Sequence, residues 1–461
     1  MLQTAPAPQA TKPSRFGIIH ASQLKKYLSY VLPSMAALML SSVFIILDGV
    51  FVGHAVGDAG MAGINVAFPL ITLVNAISMG IGMGGAVISS IERGRGDEQA
   101  AMRATGNVFL ILGIIGIPLA LTLAAVAEPM CAIMGGSGQT LTEAVHFVRA
   151  VCIGTPFQAI ALGSIALVRN RGDVRYAMCT QLIATSINIV LDFLFVFELG
   201  LGTFGAGLAT VFGQIFSFTS YLRYFTRPKN RIPRESFRPH GATIAHMAKL
   251  GLAPFGLFLL PDVTTVVINV NANAAGGENA VAAFAAMAYV GFIVLMLMQG
   301  IADGSQPLVS LCHGQGDHAQ VQRLRNTNYV AACGLGLVGL VVLFLMREQV
   351  PALFGVSPET AAIVIGALPL YALAFVFYGF THVSMSYFYA TDNARASNFL
   401  VYGEAVVVVI VAAVLTLAFG ITGTWMAVAA AQVLLSLIAI VELWAVEHSR
   451  RARMAPGKGA R

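Results

Sequence analysis

Twelve runs of apolar residues, separated by short polar segments, divide this chain from end to end. The apolar positions within each run are nearly continuous and lack the alternation of a half-buried strand, so the pattern favours helices. A helix that crosses a bilayer needs about 20 such residues. The runs lie near residues 27–53, 64–91, 105–130, 144–167, 176–197, 205–224, 246–275, 279–311, 328–346, 361–390, 399–419 and 423–446. They predict twelve transmembrane helices, six on each side of one long basic segment.

The composition identifies the solvent of these helices as lipid. The chain is 57% hydrophobic and only 10% charged, with a mean hydropathy of +0.78, whereas a soluble domain carries about 25% charged residues. Backbone groups in a bilayer must find hydrogen-bond partners within the protein, which leaves helices or a closed barrel. The fold class is therefore predicted to be an all-α polytopic membrane protein.

The basic residues predict how the chain crosses the bilayer. If the amino terminus is cytoplasmic, every Lys and Arg except Arg149 and Arg347 falls in or beside a terminal tail or an even-numbered loop. This distribution follows the positive-inside rule. We therefore interpret the net charge of +6 as topological and expect no nucleic-acid partner. Both termini are predicted to be cytoplasmic, in a multi-pass protein of the cytoplasmic (inner) membrane.

The two halves of the sequence repeat at a nearly constant distance. A Gly-x-Gly-Asp segment at 94–97 recurs at 314–317, an offset of 220. Other matching pairs are Arg103 and Arg323, Asp173 and Asn393, Arg175 and Arg395, and, at offset 218, Gly205 with Gly423 and Gln214 with Gln432. Repeats of equal sidedness indicate two halves related by an axis along the membrane normal, with substrate between them and alternating access by rocking.

These features predict five segments. Residues 1–26 form a disordered cytoplasmic tail, since no apolar core of a signal peptide follows its start. Residues 27–225 form an N-lobe and residues 246–447 a C-lobe. A basic cytoplasmic linker, 226–245, joins the lobes, and residues 448–461 form a second basic tail.

Polar side chains inside the first-half helices are candidates for an ion site. Asp48 lies late in the first helix, Asp192 late in the fifth, and Asn188 lies one turn before Asp192 on the same helix face. Thr210 lies early in the sixth helix and so at a similar depth. Ionisable groups in such helices are costly and mark function by default. Their oxygens suit a hard cation such as sodium, and two close carboxylates can instead share a proton.

The repeat distinguishes this site from simple helix contacts. The equivalents of Asp48 and Asp192 are Ile268 and Ala412, and that of Thr210 is Val428. Polar groups that only join helices by hydrogen bonds are expected in both halves. Acids at these positions in one half alone favour a single ion site, although joining helices remains the alternative for each residue.

The order of these motifs resembles the multidrug and toxin extrusion (MATE) family, and within it the bacterial MepA-like branch. The resemblance is carried by Asp-Gly-Val-Phe-Val-Gly at 48–53, Asn188-x-x-x-Asp192, Gly205-Ala206 with Thr210, and the twin Gly-x-Gly-Asp turns. It implies a V-shaped pair of six-helix lobes that export organic cations or drugs in exchange for protons or sodium. It also implies a first-lobe cation site at Asp48, Asn188, Asp192 and Thr210. No other cofactor is expected, and we expect a monomer.

Further ionisable residues lie in the second half. Some family members carry a carboxylate in helix seven, where Asp262 stands here after an unusual Pro261. Asp262 and Glu404 are therefore candidates for a second cation or substrate site, with structural pairing as the alternative for Glu404. Asp303 is expected to reach water at the cytoplasmic end, and His382 is expected at a surface or interface near a helix end.

Other functional classes lack their sequence signatures. The chain contains no phosphate-binding G-x-x-x-x-G-K-[ST] segment, so ATP is not the expected energy source. Neither H-E-x-x-H nor G-x-S-x-G is present, so we expect a transporter and not an enzyme. An exporter or flippase of lipid-linked or polar metabolites on the same two-lobe scaffold remains the alternative. Buried acids, with almost no Lys or Arg inside the spans, favour cationic cargo.

Overall fold

The first half of the chain folds into six long helices. The computed structural model describes residues 17–454, without the side chains of 43–55, 58 and 450–454. The helices are α1 (Ala21–Val56), α2 (Asp58–Gly94), α3 (Glu98–Ile133), α4 (Gly138–Asn170), α5 (Val174–Asp192) and α6 (Gly202–Thr226). A π-helical segment, Phe193–Glu198, extends α5. We call these six helices the N-lobe.

The second half also has six long helices, two pairs of which are nearly continuous. The stretch Gly241–Gly314 is interrupted at Gly277, where φ is 67°, so it comprises α7 (241–276) and α8 (278–314). Helix α9 (His318–Leu345) and a short helix (Gln349–Phe354) precede α10 (Pro358–Ala390). The stretch Ala394–Met454 is interrupted at Gly420, where φ is 61°, and comprises α11 (394–419) and α12 (421–454). Helices α7–α12 form the C-lobe, and the predicted fold class is confirmed.

The helices extend beyond the predicted segment boundaries. α1 begins at Ala21, inside the predicted tail of residues 1–26, and α12 continues to Met454, beyond the predicted limit of residue 447. The linker predicted at 226–245 is shorter, since α7 begins at Gly241, and it contains a 3₁₀ turn at Arg234–Phe237. The helices pass the limits of the hydropathy pattern because that pattern marks the part of a helix inside lipid, whereas backbone hydrogen bonds continue into polar surroundings.

Backbone geometry confirms the internal repeat. Left-handed glycines recur at offset 220 in four places, and Gly172 corresponds to the left-handed Asp392. The four glycine pairs are Gly57 and Gly277, Gly96 and Gly316, Gly135 and Gly355, and Gly200 and Gly420. The Gly-x-Gly-Asp turns also match, because Asp97 caps α3 by accepting from the Ala100 N–H at 2.8 Å and Asp317 caps α9 from the Gln320 N–H at 2.9 Å.

The apolar cores show how the lobes meet. We call the end of the bundle that carries Lys25, Arg93, Arg171, Arg234 and Arg323 the basic face. One apolar cluster near this face includes side chains from both lobes, such as Met83 and Leu308. Toward the opposite face, each lobe has its own cluster, with Leu70 and Phe147 in the N-lobe and Phe284 and Trp425 in the C-lobe. The lobes therefore join at the basic face and have separate cores beyond it.

Candidate functional site

Two of the predicted ion-site residues contact each other in the N-lobe. The side-chain amide of Asn188 on α5 donates to the Thr210 hydroxyl on α6 at 3.4 Å. The Thr210 hydroxyl in turn donates to the Ala206 carbonyl one turn earlier, at 3.1 Å. The second bond leaves lone pairs on Thr210 Oγ1 as acceptors, while the Asn188 carbonyl oxygen is a further hard ligand. The structure therefore places two neutral oxygen ligands side by side.

Asp192 lies one helical turn beyond Asn188, in the interior of the N-lobe. Its residue surface is 0% exposed. It is the last residue of α5 before the π-helical segment, and π-helical turns occur frequently at functional sites because they re-aim side chains. The fourth predicted residue, Asp48, lies on α1 but outside the part of the chain whose side chains are described.

A chain of three amides extends the polar interior beyond the predicted residues. Gln214 on α6 donates to Gln158 on α4 at 2.8 Å, and Gln158 donates to Asn75 on α2. The Oε1 atom of Gln214 is buried and has no hydrogen-bond partner among the described residues. In the sequence, Gln214 stands out only as the repeat equivalent of Gln432. Its position, like those of Asn75 and Gln158, inside an apolar run was the signal for a polar interior.

These amides border a cavity of about 260 Å³ that also reaches the predicted ion-site residues. Asn188 and Thr210 contribute to its wall, as do Gln158 and Gln214. Phe258 of α7 contributes from the C-lobe. A cavity lined by uncharged, hydrogen-bonding side chains thus lies directly beside Asn188 and Thr210, and both lobes contribute to its wall.

The repeat-related positions of the C-lobe are apolar. Ile268 and Ala412 are fully buried in the C-lobe cluster, and Val428 packs against it. Because these three residues belong to or pack against one apolar cluster, the C-lobe region that corresponds to the polar N-lobe residues is filled by apolar side chains. The structure thus retains the asymmetry that the sequence alignment of the two halves indicated.

The C-lobe has a different polar cluster, centred on Gln432. Its amide nitrogen donates to Glu404 Oε1 at 2.6 Å, and its carbonyl oxygen accepts from the Thr381 hydroxyl at 2.7 Å. Gln432 is the repeat equivalent of Gln214, so the same position joins an amide chain in one lobe and a carboxylate in the other. Asp262 on α7 is half-buried, and its Oδ2 atom has no hydrogen-bond partner within the described part of the chain.

Asp303 does not reach water, contrary to expectation. Its side chain is only 5% exposed, and the guanidinium of Arg169 on α4, 7% exposed, lies 3.4 Å from Asp303 Oδ2. Asn170 donates to Gln306 on α8 at 2.9 Å beside this ion pair. The prediction was wrong because the basic half of α8 packs against the N-lobe, so a position near the helix end is covered by the other lobe.

His382 is also in the interior and not at a surface. It is 3% exposed, and its ring stacks on Tyr378 with 5.5 Å between the centroids. Helix α10 continues to Ala390, which places His382 two turns inside the helix. The expectation of a surface position failed because the sequence alone does not show which side of α10 faces the other helices of the C-lobe.

Comparison with known proteins gives consistent results over nearly the whole chain. The MatE family model matches twice, at residues 33–194 and 258–415, once in each half. The multidrug export protein MepA of Staphylococcus haemolyticus (strain JCSC1435) is 22% identical over 446 residues, covering 95% of this chain and 96% of the relative. The MepA protein of Staphylococcus saprophyticus is 23% identical over 434 residues, covering 91% and 93%.

Solved structures show the same fold. An outward-facing multidrug resistance MATE family transporter of the MOP superfamily superposes with a TM-score of 0.87 at 20% identity, covering 97% of this chain and all of the other. A MATE in complex with MaL6 gives a TM-score of 0.86 at 20% identity, covering 95% of this chain and all of the other.

Proposed function

This chain belongs to the MatE family, the multidrug and toxin extrusion (MATE) transporters, and on that premise we propose that it exports organic cations or cationic drugs in exchange for protons or sodium ions. The chain is a transporter and not an enzyme. The observation that carries the proposal is the buried Asp192 beside the bonded pair Asn188 and Thr210, in one lobe only.

We assign the coupling-ion site to Asp48, Asn188, Asp192 and Thr210. Carboxylate, amide and hydroxyl oxygens are the donors that a hard cation prefers, so the residue types fit sodium. They fit a proton equally well, because a carboxyl group inside an apolar lobe is stabilised when its charge is neutralised. A proton would remove the charge of Asp192 and a sodium ion would compensate it, so either ion would change the energy of the N-lobe.

We propose that ion binding is coupled to cargo binding because the two sites have residues in common. Asn188 and Thr210, which we assign to the ion site, also line the cavity bordered by Gln158 and Gln214. An ion that draws their oxygens toward Asp192 changes the hydrogen-bonding surface that the cavity offers to cargo. Linkage requires the effect to be reciprocal, so cargo must weaken ion binding by the same factor by which the ion weakens cargo binding.

Two carboxyl groups of the C-lobe, those of Glu404 and Asp262, are candidates for a further contact with cargo. We propose that Glu404 and Asp262 contact the cationic cargo or a second ion, because both retain acceptor atoms in a mostly apolar environment. The hydrogen bond from Gln432 holds Glu404 in one orientation. A negatively charged C-lobe supports cationic cargo over the phosphate-bearing or polar metabolites of the alternative function.

Both lobes needed for alternating access are present in one chain, so we propose that the transporter works as a monomer. The N-lobe, α1–α6, and the C-lobe, α7–α12, are expected to rock about their contact at the basic face. The concentration of Lys and Arg at that face supports its assignment to the cytoplasm. Both termini then lie in the cytoplasm.

Asp192→Asn tests the function directly. The change keeps shape and removes the titratable charge, so ethidium efflux from energised vesicles should fall to the level of empty vesicles. Glu198→Gln is the matched control, because Glu198 is exposed and lies six residues further along the same helical segment. Separate collapse of the proton and sodium gradients identifies the coupling ion. Unchanged efflux by Asp192→Asn at equal expression would refute the assigned ion site.

A further inference from the structure

A groove within the N-lobe, separate from the cavity at Asn188 and Thr210, lies between α1 and α5 at the basic face. It encloses about 520 Å³ and is lined mostly by apolar side chains of α1. Leu24, Leu28 and Leu32 follow one another at successive turns and are 43%, 36% and 53% exposed. Two cations, Lys25 on α1 and Arg175 on α5, lie on the same groove. The groove thus combines an apolar wall with positive charge.

Both cations lack an anionic partner in the part of the protein whose side chains the structure describes. Lys25 and Arg175 are both exposed, and neither forms an ion pair among the described residues. Several other basic side chains near this face are paired, such as Arg93 with Glu98 and Arg325 with Glu447. Long basic side chains at helix ends extend toward the headgroup layer. The unpaired positive charge of the groove is therefore available to an anion at the membrane surface.

We propose that this groove binds an anionic phospholipid, with the headgroup phosphate held by Lys25 and Arg175 and one acyl chain along Leu28 and Leu32. The Arg guanidinium presents a fork of N–H donors that matches phosphate oxygens, and the Lys ammonium adds a second charge. A zwitterionic lipid carries its own cation, which opposes these two residues. The groove therefore favours a headgroup with net negative charge.

The internal repeat provides a comparison within the same molecule. In the C-lobe, Asn398 and Tyr402 of α11 donate to the Lys249 and Leu252 carbonyls of α7, at 3.2 and 2.9 Å. These bonds fasten α11 to α7. The corresponding N-lobe positions hold the non-donor side chains of Met178 and Leu182, which form no such bonds to α1.

The basic residues at the repeat-related positions of the two lobes also differ. Arg395 repeats Arg175, but the position of Lys25 corresponds to Ala245. Lys249 lies one turn further along α7, and its carbonyl already accepts the bond from Asn398. The lipid site is thus a property of the N-lobe. Its two helices are also the ones that carry Asp48 and Asp192.

Native mass spectrometry of the purified full-length protein tests the proposal. The protein is titrated with phosphatidylglycerol, with phosphatidylcholine and with inorganic phosphate. Each basic residue near an anionic lipid surface strengthens binding by about fivefold, so the double variant Lys25→Gln/Arg175→Gln should weaken phosphatidylglycerol binding by about 25-fold. Phosphatidylcholine binding should change little, and inorganic phosphate should bind weakly to both proteins.

The matched control is Lys249→Gln/Arg395→Gln, which removes two charges from the corresponding part of the C-lobe and should leave phosphatidylglycerol binding near the wild-type level. Leu28→Trp keeps both cations but places a larger side chain in the groove where the acyl chain is proposed to lie, so it should also weaken lipid binding. Equal losses in the two double variants would show a general charge effect and overturn the proposal. Inorganic phosphate that binds as tightly as phosphatidylglycerol, or full lipid binding by Leu28→Trp, would also overturn it.

Discussion

The buried ion pair between Arg169 and Asp303 is predicted to hold the lobes together at the basic face. It joins α4 of the N-lobe to α8 of the C-lobe, with both side chains below a tenth exposed. Further bonds between the lobes lie beside it, since Ser90 donates to the Pro307 carbonyl at 3.3 Å. Asp303→Asn would leave the Arg169 charge buried without its counter-ion whenever the lobes are closed here.

The magnitude follows from the geometry of the pair. Removing one partner of a buried ion pair costs about 3–5 kcal/mol. The two terminal guanidinium nitrogens of Arg169, Nη1 and Nη2, are rather distant from Asp303 Oδ2, at 3.5 and 3.4 Å, so the lower end of this range applies. When the lobes separate at this face, water solvates both groups, and the cost applies only to the closed state. About 3 kcal/mol corresponds to a shift of about 100-fold toward the open state.

Double electron–electron resonance can measure this shift. Spin labels at Gln99 and Ala319 are exposed, sit early in α3 and α9, and occupy repeat-related positions in the two lobes. Asp303→Asn should transfer population from the short to a longer interlabel distance. Glu98→Gln is the control, because Glu98 is 55% exposed and pairs with Arg93 of the same lobe. Such a surface pair contributes about 0–1 kcal/mol.

The double variant Arg169→Gln/Asp303→Asn separates charge from packing. It removes both buried charges and should restore much of the closed population, since replacing a whole buried pair is far less costly than breaking it. An unchanged distance distribution in Asp303→Asn would refute the role of the pair. A double variant as open as the single one would show that shape, and not the uncompensated charge, controls the contact.

Two further predictions concern the amide chain and the topology. Gln214→Leu should leave Gln158 Oε1 without its donor, lower the free energy of unfolding by about 1–3 kcal/mol and reduce efflux. Thermal unfolding measures the stability and ethidium transport measures the efflux. Full activity with unchanged stability would contradict a role for the three hydrogen-bonded amides. Cysteines at Lys229, in the exposed segment before α7, and at the exposed Glu278, just after α7, should react with impermeant reagents from opposite sides of the membrane, Lys229→Cys from the cytoplasmic side. Reaction of both from outside would contradict the twelve-helix topology.

The sequence by itself determined the helices, their number and their repeat. Hydrophobic runs of bilayer length admit one regular structure in lipid, so the fold class followed without tertiary information. The turns were equally local, because a glycine such as Gly96 or Gly316 accommodates a left-handed backbone and the next Asp caps the following helix. Asn188 and Asp192 were recognisable because polar groups in an apolar run are costly wherever the run packs.

Tertiary structure alone decided which polar side chains meet and which are covered. Arg169 and Asp303 are 134 positions apart. In the sequence each lies near the end of a helix, and only the packing of the two lobes shows that both side chains are buried. The amides Asn75, Gln158 and Gln214 come from three different helices and form one chain only when α2, α4 and α6 are neighbours. Periodicity shows that a residue lies in a helix, but the azimuth of that helix and the identity of its neighbour are set by packing among all twelve. For the same reason, Asp303 was predicted to reach water and His382 to lie at a surface or interface, whereas both side chains lie in the interior.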